Sequence, residues 1–221
     1  MLGNKLWKSA AALMALMLVG LSAGHGAPIP QPAADIPAAS VKGPQTAVFA
    51  GGCFWGVEAV FRHVKGVTKA VSGYAGGMVV KPSYEQVSTG KTGHAESVEV
   101  TYDPAQVSYG QLLAVFFSVA HDPTQLDRQG PDHGPQYRSA IFYVNDDQKR
   151  VAEAYIGQLE KAKTFGSPIV TQVAKLPAFW PAEDYHQNYL ALHPTQPYIV
   201  FNDLPKLGAL QKEWPDLYAK R

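Results

Sequence analysis

The sequence predicts an α+β fold, a two-layer sandwich with helices packed on a mixed or antiparallel sheet. Two observations favour it. The predicted elements follow the order strand, helix, strand, strand, helix, strand, helix, strand, and the two adjacent strands interrupt the alternation of a purely parallel sheet. The apolar residues also recur at helical spacing in some segments and alternate with polar residues in others, which distinguishes the predicted helices from the predicted strands. We therefore expect a ferredoxin-like arrangement with long functional loops.

The first half of the domain supplies three strands and one helix. Residues 46–52 form a short apolar run that ends in two glycines, which indicates a buried strand. Four apolar residues from Val57 to Val64 recur at helical spacing. Residues 67–77 predict a second strand that closes in a glycine turn. Residues 97–103 alternate between apolar and polar, which predicts a third strand with one buried face.

The second half supplies the remaining elements. Residues 109–121 predict an amphipathic helix, and residues 139–144 an apolar strand. Residues 146–166 begin with aspartate and end with glycine, as a capped helix does. Residues 169–176 predict the last strand, and residues 182–190 a short helix.

The amino terminus has the composition of a secretory signal peptide over residues 1–26. Lys5 and Lys8 precede an uncharged, mostly apolar run that is shorter than the ~20 residues of a membrane-spanning helix. We expect export to the periplasm; secretion or an uncleaved amino-terminal membrane anchor are the alternatives. Residues 27–44 are rich in proline and alanine and predict a flexible linker, so the catalytic domain spans residues 45–221.

Charge and cysteine content exclude some classes of protein. Removing the signal peptide takes away two lysines and no acidic residue, so the net charge changes from +1 to −1. No basic surplus remains for a nucleic acid or an anionic membrane. A single cysteine also excludes a disulfide within the chain. We expect a monomer.

That cysteine, Cys53, lies in the motif GGCFWG between a strand and a helix. At a helix start the free backbone N–H groups and the helix dipole favour an anion. We therefore expect the pKa of Cys53 to fall below the ordinary ~8.5 and the thiolate to be the reactive form. An inert buried cysteine is the alternative.

Two long loops carry further polar side chains. Residues 76–96 end at Glu96, and residues 123–138 contain Asp132 and Tyr137 in a loop fixed by glycine and proline. Long loops in compact domains are usually functional. Taken alone, each of these side chains is an ordinary polar surface residue.

Six motifs stand in a fixed order along residues 46–189. They are GGCFWG, GYAGG, PSYEQVSTGKTGHAE, HDPTQ, RQGPDHGPQYRS and FWPAEDYHQNY. In this combination the sequence resembles the A-type peptide-methionine sulfoxide reductases, which return (S)-methionine sulfoxide to methionine and so repair oxidative damage.

The resemblance implies roles for individual residues. Cys53 would attack the sulfoxide sulfur as a thiolate and become a sulfenic acid. Glu96 would be the acid, which requires that burial raises its pKa. Tyr84 and Tyr137 would donate hydrogen bonds to the sulfoxide oxygen.

The resemblance also implies a substrate pocket. Phe54 and Trp55 would contact the substrate methyl group, and the proximity of this apolar pocket to the oxygen donors would select one sulfoxide epimer. The remaining positions that line the site are Asp132, His186 and Tyr189. Tyr198 is a weaker match, because the alignment loosens beyond Tyr189.

The chain departs from many family members in its carboxyl-terminal segment. Residues 190–221 contain no cysteine that could attack the sulfenic acid. We therefore expect an external thiol reductant, thioredoxin-like or a small molecule, with oxidised proteins and peptides as substrates and neither a bound cofactor nor a metal.

Three alternatives remain open. A cysteine hydrolase would use Cys53 with a histidine and Asp132. A metal site would combine His94, His121, His133 and Asp122 without a familiar ligand spacing. A non-catalytic secreted binding domain would retain only the fold.

Overall fold

A six-stranded mixed sheet lies at the centre of the computed structural model, which describes residues 29–221. In chain order the strands are β1 (Gln45–Gly51), β2 (Val67–Ala75), β3 (Ala95–Tyr102), β4 (Arg128–Gln129), β5 (Asp132–His133), β6 (Ser139–Tyr143), β7 (Gln172–Lys175) and β8 (Phe179–Pro181). The sheet has the order β7-β6-β1-β3-β2-β8, and β4 and β5 pair separately. Only the pairing of β6 with β7 is parallel among the described strands. The predicted signal peptide lies outside the described residues.

Six α-helices accompany the described strands. They are α1 (Phe54–Arg62), α2 (Tyr84–Ser88), α3 (Tyr109–Val115), α4 (Asp146–Lys161), α5 (Tyr189–Leu192) and α6 (Leu204–Glu213). The predicted helix over residues 109–121 begins as α3 and continues as a π-helix over Phe116–Ala120. The one predicted over residues 182–190 is instead a 3₁₀ turn, Asp184–His186, followed by α5. Sequence analysis missed β8 and α6, and it also missed α2, β4 and β5, which lie in segments predicted as loops.

The two faces of the sheet are buried differently. On β1, Phe49 points to the main core, where its ring stacks on Phe61 of α1 at 4.9 Å and on Phe116 at 5.0 Å. Its neighbour Val48 points to a smaller cluster on the opposite face, around Phe142. This alternation follows the period of two in a strand. The mixed α+β fold is confirmed, whereas the ferredoxin-like two-layer sandwich stays a prediction.

The segment before β1 contacts the start of α3 and the main core. Asp35 accepts hydrogen bonds from the Ser108 hydroxyl at 2.5 Å and from the Gly110 N–H at 2.9 Å, at the start of α3. A carboxylate is favoured there by the helix dipole. Ile29 and Ile36 pack against the main core, which fixes the segment further.

Within residues 29–221, every helix is too short or too polar to cross a membrane.

Candidate active site

The junction between β1 and α1 carries Cys53. Gly52 adopts a φ of 86°, a conformation that favours glycine, and the chain turns there from the strand into the helix. Cys53 precedes the first helical residue and is only 7% exposed. The structure therefore places the sulfur at the helix start, as the sequence predicts, but inside the protein.

The predicted lowering of the Cys53 pKa is wrong. Burial raises the pKa of the thiol well above its ordinary value, and the Glu96 and Asp203 carboxyl groups raise it further. The backbone N–H of Trp55 and the ammonium of Lys206 act in the opposite direction and are outweighed. Burial destabilises the thiolate more than the amino terminus of the helix stabilises it. Cys53 is therefore a neutral thiol at neutral pH.

Glu96 lies at the beginning of β3, beside the same helix start. Its side chain is buried, and its Oε2 accepts a hydrogen bond from the N–H of Phe54 at 3.0 Å. Burial raises the pKa of this carboxyl to about 8, against the effect of the Phe54 N–H. Glu96 therefore retains its proton at neutral pH.

Two phenols approach the same region from different loops. Tyr84 opens α2, where its N–H donates to Glu183 Oε1 at 2.8 Å, and Tyr137 ends the 3₁₀ turn Pro135–Tyr137. Burial raises the pKa of both hydroxyl groups, and the neighbouring Glu96 raises it further. Both therefore remain protonated and can donate hydrogen bonds.

An aromatic cluster brings five predicted residues together. The indole Nε1 of Trp55 donates to His186 Nδ1 at 3.1 Å. The His186 ring lies 5.0 Å from that of Phe54 and 4.5 Å from that of Tyr84. The Tyr189 ring stacks on Trp55 at 3.8 Å, nearly parallel. Burial lowers the pKa of His186, and because Nδ1 is an acceptor, the neutral ring carries its proton on Nε2.

Tyr198, the weaker match, belongs to the same cluster. Its hydroxyl donates to Asp132 Oδ2 at 2.5 Å, and its ring meets the Trp55 ring edge-on at 5.8 Å. Burial and the proximity of Cys53 raise the pKa of the phenol. The structure thus brings all nine predicted site residues, together with Tyr198, around the β1–α1 junction.

The comparisons with known proteins decide what this arrangement belongs to. The sequence model of the family described as "Peptide methionine sulfoxide reductase" matches residues 45–218. This chain is a member of the peptide methionine sulfoxide reductase family. The family predicted from the sequence is thereby confirmed.

Individual relatives agree with the family model. The chain is 62% identical over 182 residues to peptide methionine sulfoxide reductase MsrA 2 of Mesorhizobium japonicum, a match that covers 82% of this chain and 93% of that protein. It is 53% identical over 190 residues to the MsrA 2 of Synechocystis, which covers 85% and 89%.

Solved structures show the same fold. Methionine sulfoxide reductase A of Corynebacterium diphtheriae superimposes with a TM-score of 0.62 at 37% identity, over 71% of this chain and 78% of that one. Reduced Mxr1 of Saccharomyces cerevisiae gives a TM-score of 0.64 at 32% identity, over 69% and 87%.

The carboxyl-terminal part of this reductase chain adds a charged pair that sequence analysis missed. Asp203 is fully buried, and its Oδ1 lies 3.1 Å from the Nζ of Lys206. Its Oδ2 has no hydrogen-bond partner among the described residues. The spacing of the two residues, three apart at the start of α6, was the only signal in the sequence.

A buried carboxylate holds the segment that carries the aromatic cluster. Both Glu58 oxygens lie 3.0 Å from the N–H of Asn188, and one accepts from the Ser72 hydroxyl at 2.9 Å. Asn188 has a left-handed φ of 55°. Glu58 lies one turn after Trp55 in α1, so this contact fixes the chain between His186 and Tyr189 against the indole.

Gly56 is needed for the close approach of α6 to α1. A Cβ at this position would overlap the Asp203 carboxyl group and lie 2.8 Å from the Lys206 Nζ. We expect Gly56→Ala to lower the free energy of unfolding by about 1–3 kcal/mol, because the buried pair must move. Thermal and urea denaturation measure this.

Gly157 in α4 is the matched control for that substitution. It is exposed, and an added Cβ would meet nothing within 4 Å. Gly157→Ala should raise the free energy of unfolding by about 0.5–1 kcal/mol, through helix propensity alone. Equal stability changes in the two variants would contradict the proposed steric contact.

The metal alternative finds no support in the site. In the part of the chain from 29 to 221, no three histidine, cysteine or acidic side chains lie close enough to hold an ion. His94 bonds the Val79 carbonyl through Nε2 at 2.8 Å. The His121 ring nitrogens face the Phe116 carbonyl and the Ser139 hydroxyl.

Proposed function

We propose that this protein reduces (S)-methionine sulfoxide to methionine, in oxidised proteins and in peptides or the free amino acid. The observation that carries the proposal is the shared helix start: the Cys53 thiol and a Glu96 carboxyl that is protonated at neutral pH meet at the first turn of α1. Membership of the family supports the same reaction.

Substrate binding divides the sulfoxide between two surfaces. The phenols of Tyr84 and Tyr137 are protonated donors and suit the sulfoxide oxygen. Phe54 and Trp55 offer apolar ring surface for the methyl group. Because oxygen and methyl then have separate places, the arrangement would accept one epimer at sulfur and reject the other.

The chemical step transfers oxygen from one sulfur to the other. Cys53 Sγ attacks the sulfoxide sulfur while Glu96 gives its proton to the oxygen. This attack forms a bond between the two sulfur atoms. The hydroxyl group then passes from the substrate sulfur to Sγ, the sulfur–sulfur bond breaks, and methionine leaves with the electron pair, so that Cys53 becomes a sulfenic acid. Two electrons come from the cysteine sulfur. The thiol proton returns to Glu96, so the neutral thiol of the resting site is a competent starting state.

An external thiol completes the cycle, because the sequence has no second cysteine. One thiol attacks Cys53–SOH, which releases water and leaves a mixed disulfide, and a second thiol frees Cys53. The reductant would be a thioredoxin-like protein or a small-molecule thiol.

We propose, from the sequence, that residues 1–26 are a signal peptide and that the domain from residue 45 acts as a monomer in the periplasm. Lys5, Lys8 and the following apolar run support this assignment.

Single-turnover reduction tests the function directly. Signal-free protein without reductant should form about one methionine per protein from the S epimer and none from the R epimer, since only one thiol can supply electrons. Loss of the Cys53 thiol should accompany it. No methionine from either epimer, with Cys53 still open to alkylation, would contradict the proposal and favour the hydrolase.

A further inference from the structure

Asp203 lies against the first turn of the helix that begins directly after the reactive cysteine. Its carboxyl group contacts Gly56, in the first turn of α1 and three residues after Cys53. The side chain is fully buried, and Oδ2 has no hydrogen-bond partner among residues 29–221. A buried carboxylate oxygen without a partner is costly, and such a group is rarely retained for stability alone.

The charges around this carboxylate are arranged asymmetrically. Lys206 of α6 is its one cationic neighbour, with Nζ 3.1 Å from Oδ1 and a side chain 18% exposed. Burial raises the pKa of Asp203, and the Lys206 ammonium opposes this effect by favouring the charged form. The other ionisable groups that act on Cys53 or Asp203 are Asp132 from β5 and Glu96 from β3, and Glu96 becomes charged only as the pH rises through about 8. The surroundings of the sulfur are therefore unfavourable to an anion.

We propose that the Asp203–Lys206 pair protects the lone cysteine from overoxidation: the Asp203 carboxylate disfavours an anion on the Cys53 sulfur and so keeps the sulfenic acid neutral until an external thiol arrives. Lys206 is the neighbour that favours the charged form of this carboxylate. This role rests on the proposed reductase function, because it concerns the sulfenic acid intermediate of that cycle. Hydrogen peroxide alone also forms the same intermediate.

The two fates of the intermediate differ in charge. Reduction consumes the neutral acid: Cys53–SOH and a thiol give a mixed disulfide and water. Overoxidation by a hydroperoxide consumes the anion most readily: Cys53–SO⁻ and H₂O₂ give the sulfinate and water, with two electrons passing from sulfur to the peroxide. The sulfinic form is irreversible without a dedicated repair enzyme. A negative charge beside the sulfur therefore suppresses the second reaction more than the first.

Two variants with opposite effects on local charge test the proposal. In Asp203→Asn the Lys206 ammonium faces the sulfur alone, and we expect iodoacetamide to alkylate Cys53 about tenfold faster at neutral pH. In Lys206→Gln the rate should equal that of the wild type or be lower. Both proteins are first shown to be folded by their melting curves.

Peroxide then tests the intermediate itself. Sulfenic acid is formed either with one equivalent of hydrogen peroxide or in a single turnover with methionine sulfoxide. It is then exposed to excess peroxide, and intact mass follows its conversion to sulfinic acid. We expect Asp203→Asn to convert about tenfold faster than the wild type, and Lys206→Gln no faster.

The outcomes separate this inference from the reductase function. Unchanged conversion in Asp203→Asn would overturn the inference, even if methionine sulfoxide is reduced normally. Faster alkylation and faster conversion in both variants would also overturn it, because that result would indicate loosened packing and not a change of charge. A different result would separate the two in the other direction. If the protein does not reduce methionine sulfoxide, but Asp203→Asn still converts to sulfinic acid about tenfold faster with peroxide, the protective role stands and the proposed function is removed.

Discussion

Replacing Glu96 with glutamine is expected to slow sulfenic acid formation at Cys53 by about 10²–10⁴-fold at neutral pH. Glutamine has nearly the same shape and can still accept from the Phe54 N–H, but it has no proton to give to the sulfoxide oxygen. Single-turnover methionine release measures the rate. Cys53 should remain open to alkylation, which separates loss of the acid from collapse of the site. Full activity of the variant would remove Glu96 as the acid.

The dependence of the reaction rate on pH is a second test of Glu96 as the acid. Burial raises the pKa of Glu96 to about 8, so the acid form is present below that pH and is lost as the pH rises through it. The wild-type rate of the chemical step should therefore fall above about pH 8. The profile of Glu96→Gln should lack this decline, although its rate is lower throughout.

The raised pKa also links Glu96 to stability. In the unfolded chain the carboxyl loses its proton near its ordinary ~4.3, whereas the folded protein retains it to about 8. Stabilisation by the protonated form is thus complete at low pH and is lost progressively as the pH rises between these values. The melting temperature of the wild type should decrease over this window more than that of Glu96→Gln.

Cys53→Ser is expected to abolish the reaction. A serine oxygen cannot take up the sulfoxide oxygen and supply two electrons as sulfur does, so no alternative route is open to the side chain. Methionine release from the S epimer should equal that without protein. The fold should be retained, because serine is similar in size and is a favourable residue before the first turn of a helix. Unchanged melting is the control, and methionine above background would contradict the role of the thiol.

Local sequence patterns were sufficient to predict the elements whose apolar spacing and end residues lie close together in the chain. The strand, glycine pair and helix around Cys53 follow from residues close in sequence, and so do the capped helix α4 and the alternating strand β3. The short strand β8 was missed because three residues that end in proline carry no alternation, and it forms only by pairing with the edge of β2.

The chemical state of the thiol could not be predicted in the same way. The helix start was visible in the sequence and favoured an anion, but the burial that reverses this comes from remote segments. Asp203 and Tyr198 reach the site from beyond the region where the alignment is clear, and nothing in their local sequence indicates that they approach Cys53. The desolvation of the Cys53 thiol depends on the whole fold, so its effect on the pKa could not be predicted from the local sequence.

The aromatic cluster forms late in folding, because it joins distant parts of the chain. Trp55 and His186 are 131 residues apart, so the contact between them is non-local and forms only after most of the domain exists. Before the domain folds, the cysteine is exposed to water, where the pKa of the thiol is ordinary. Packing of Tyr189 and Tyr198 on Trp55 therefore belongs to the same folding step that buries the thiol, so the cysteine is accessible to oxidants in the unfolded chain and shielded in the folded one.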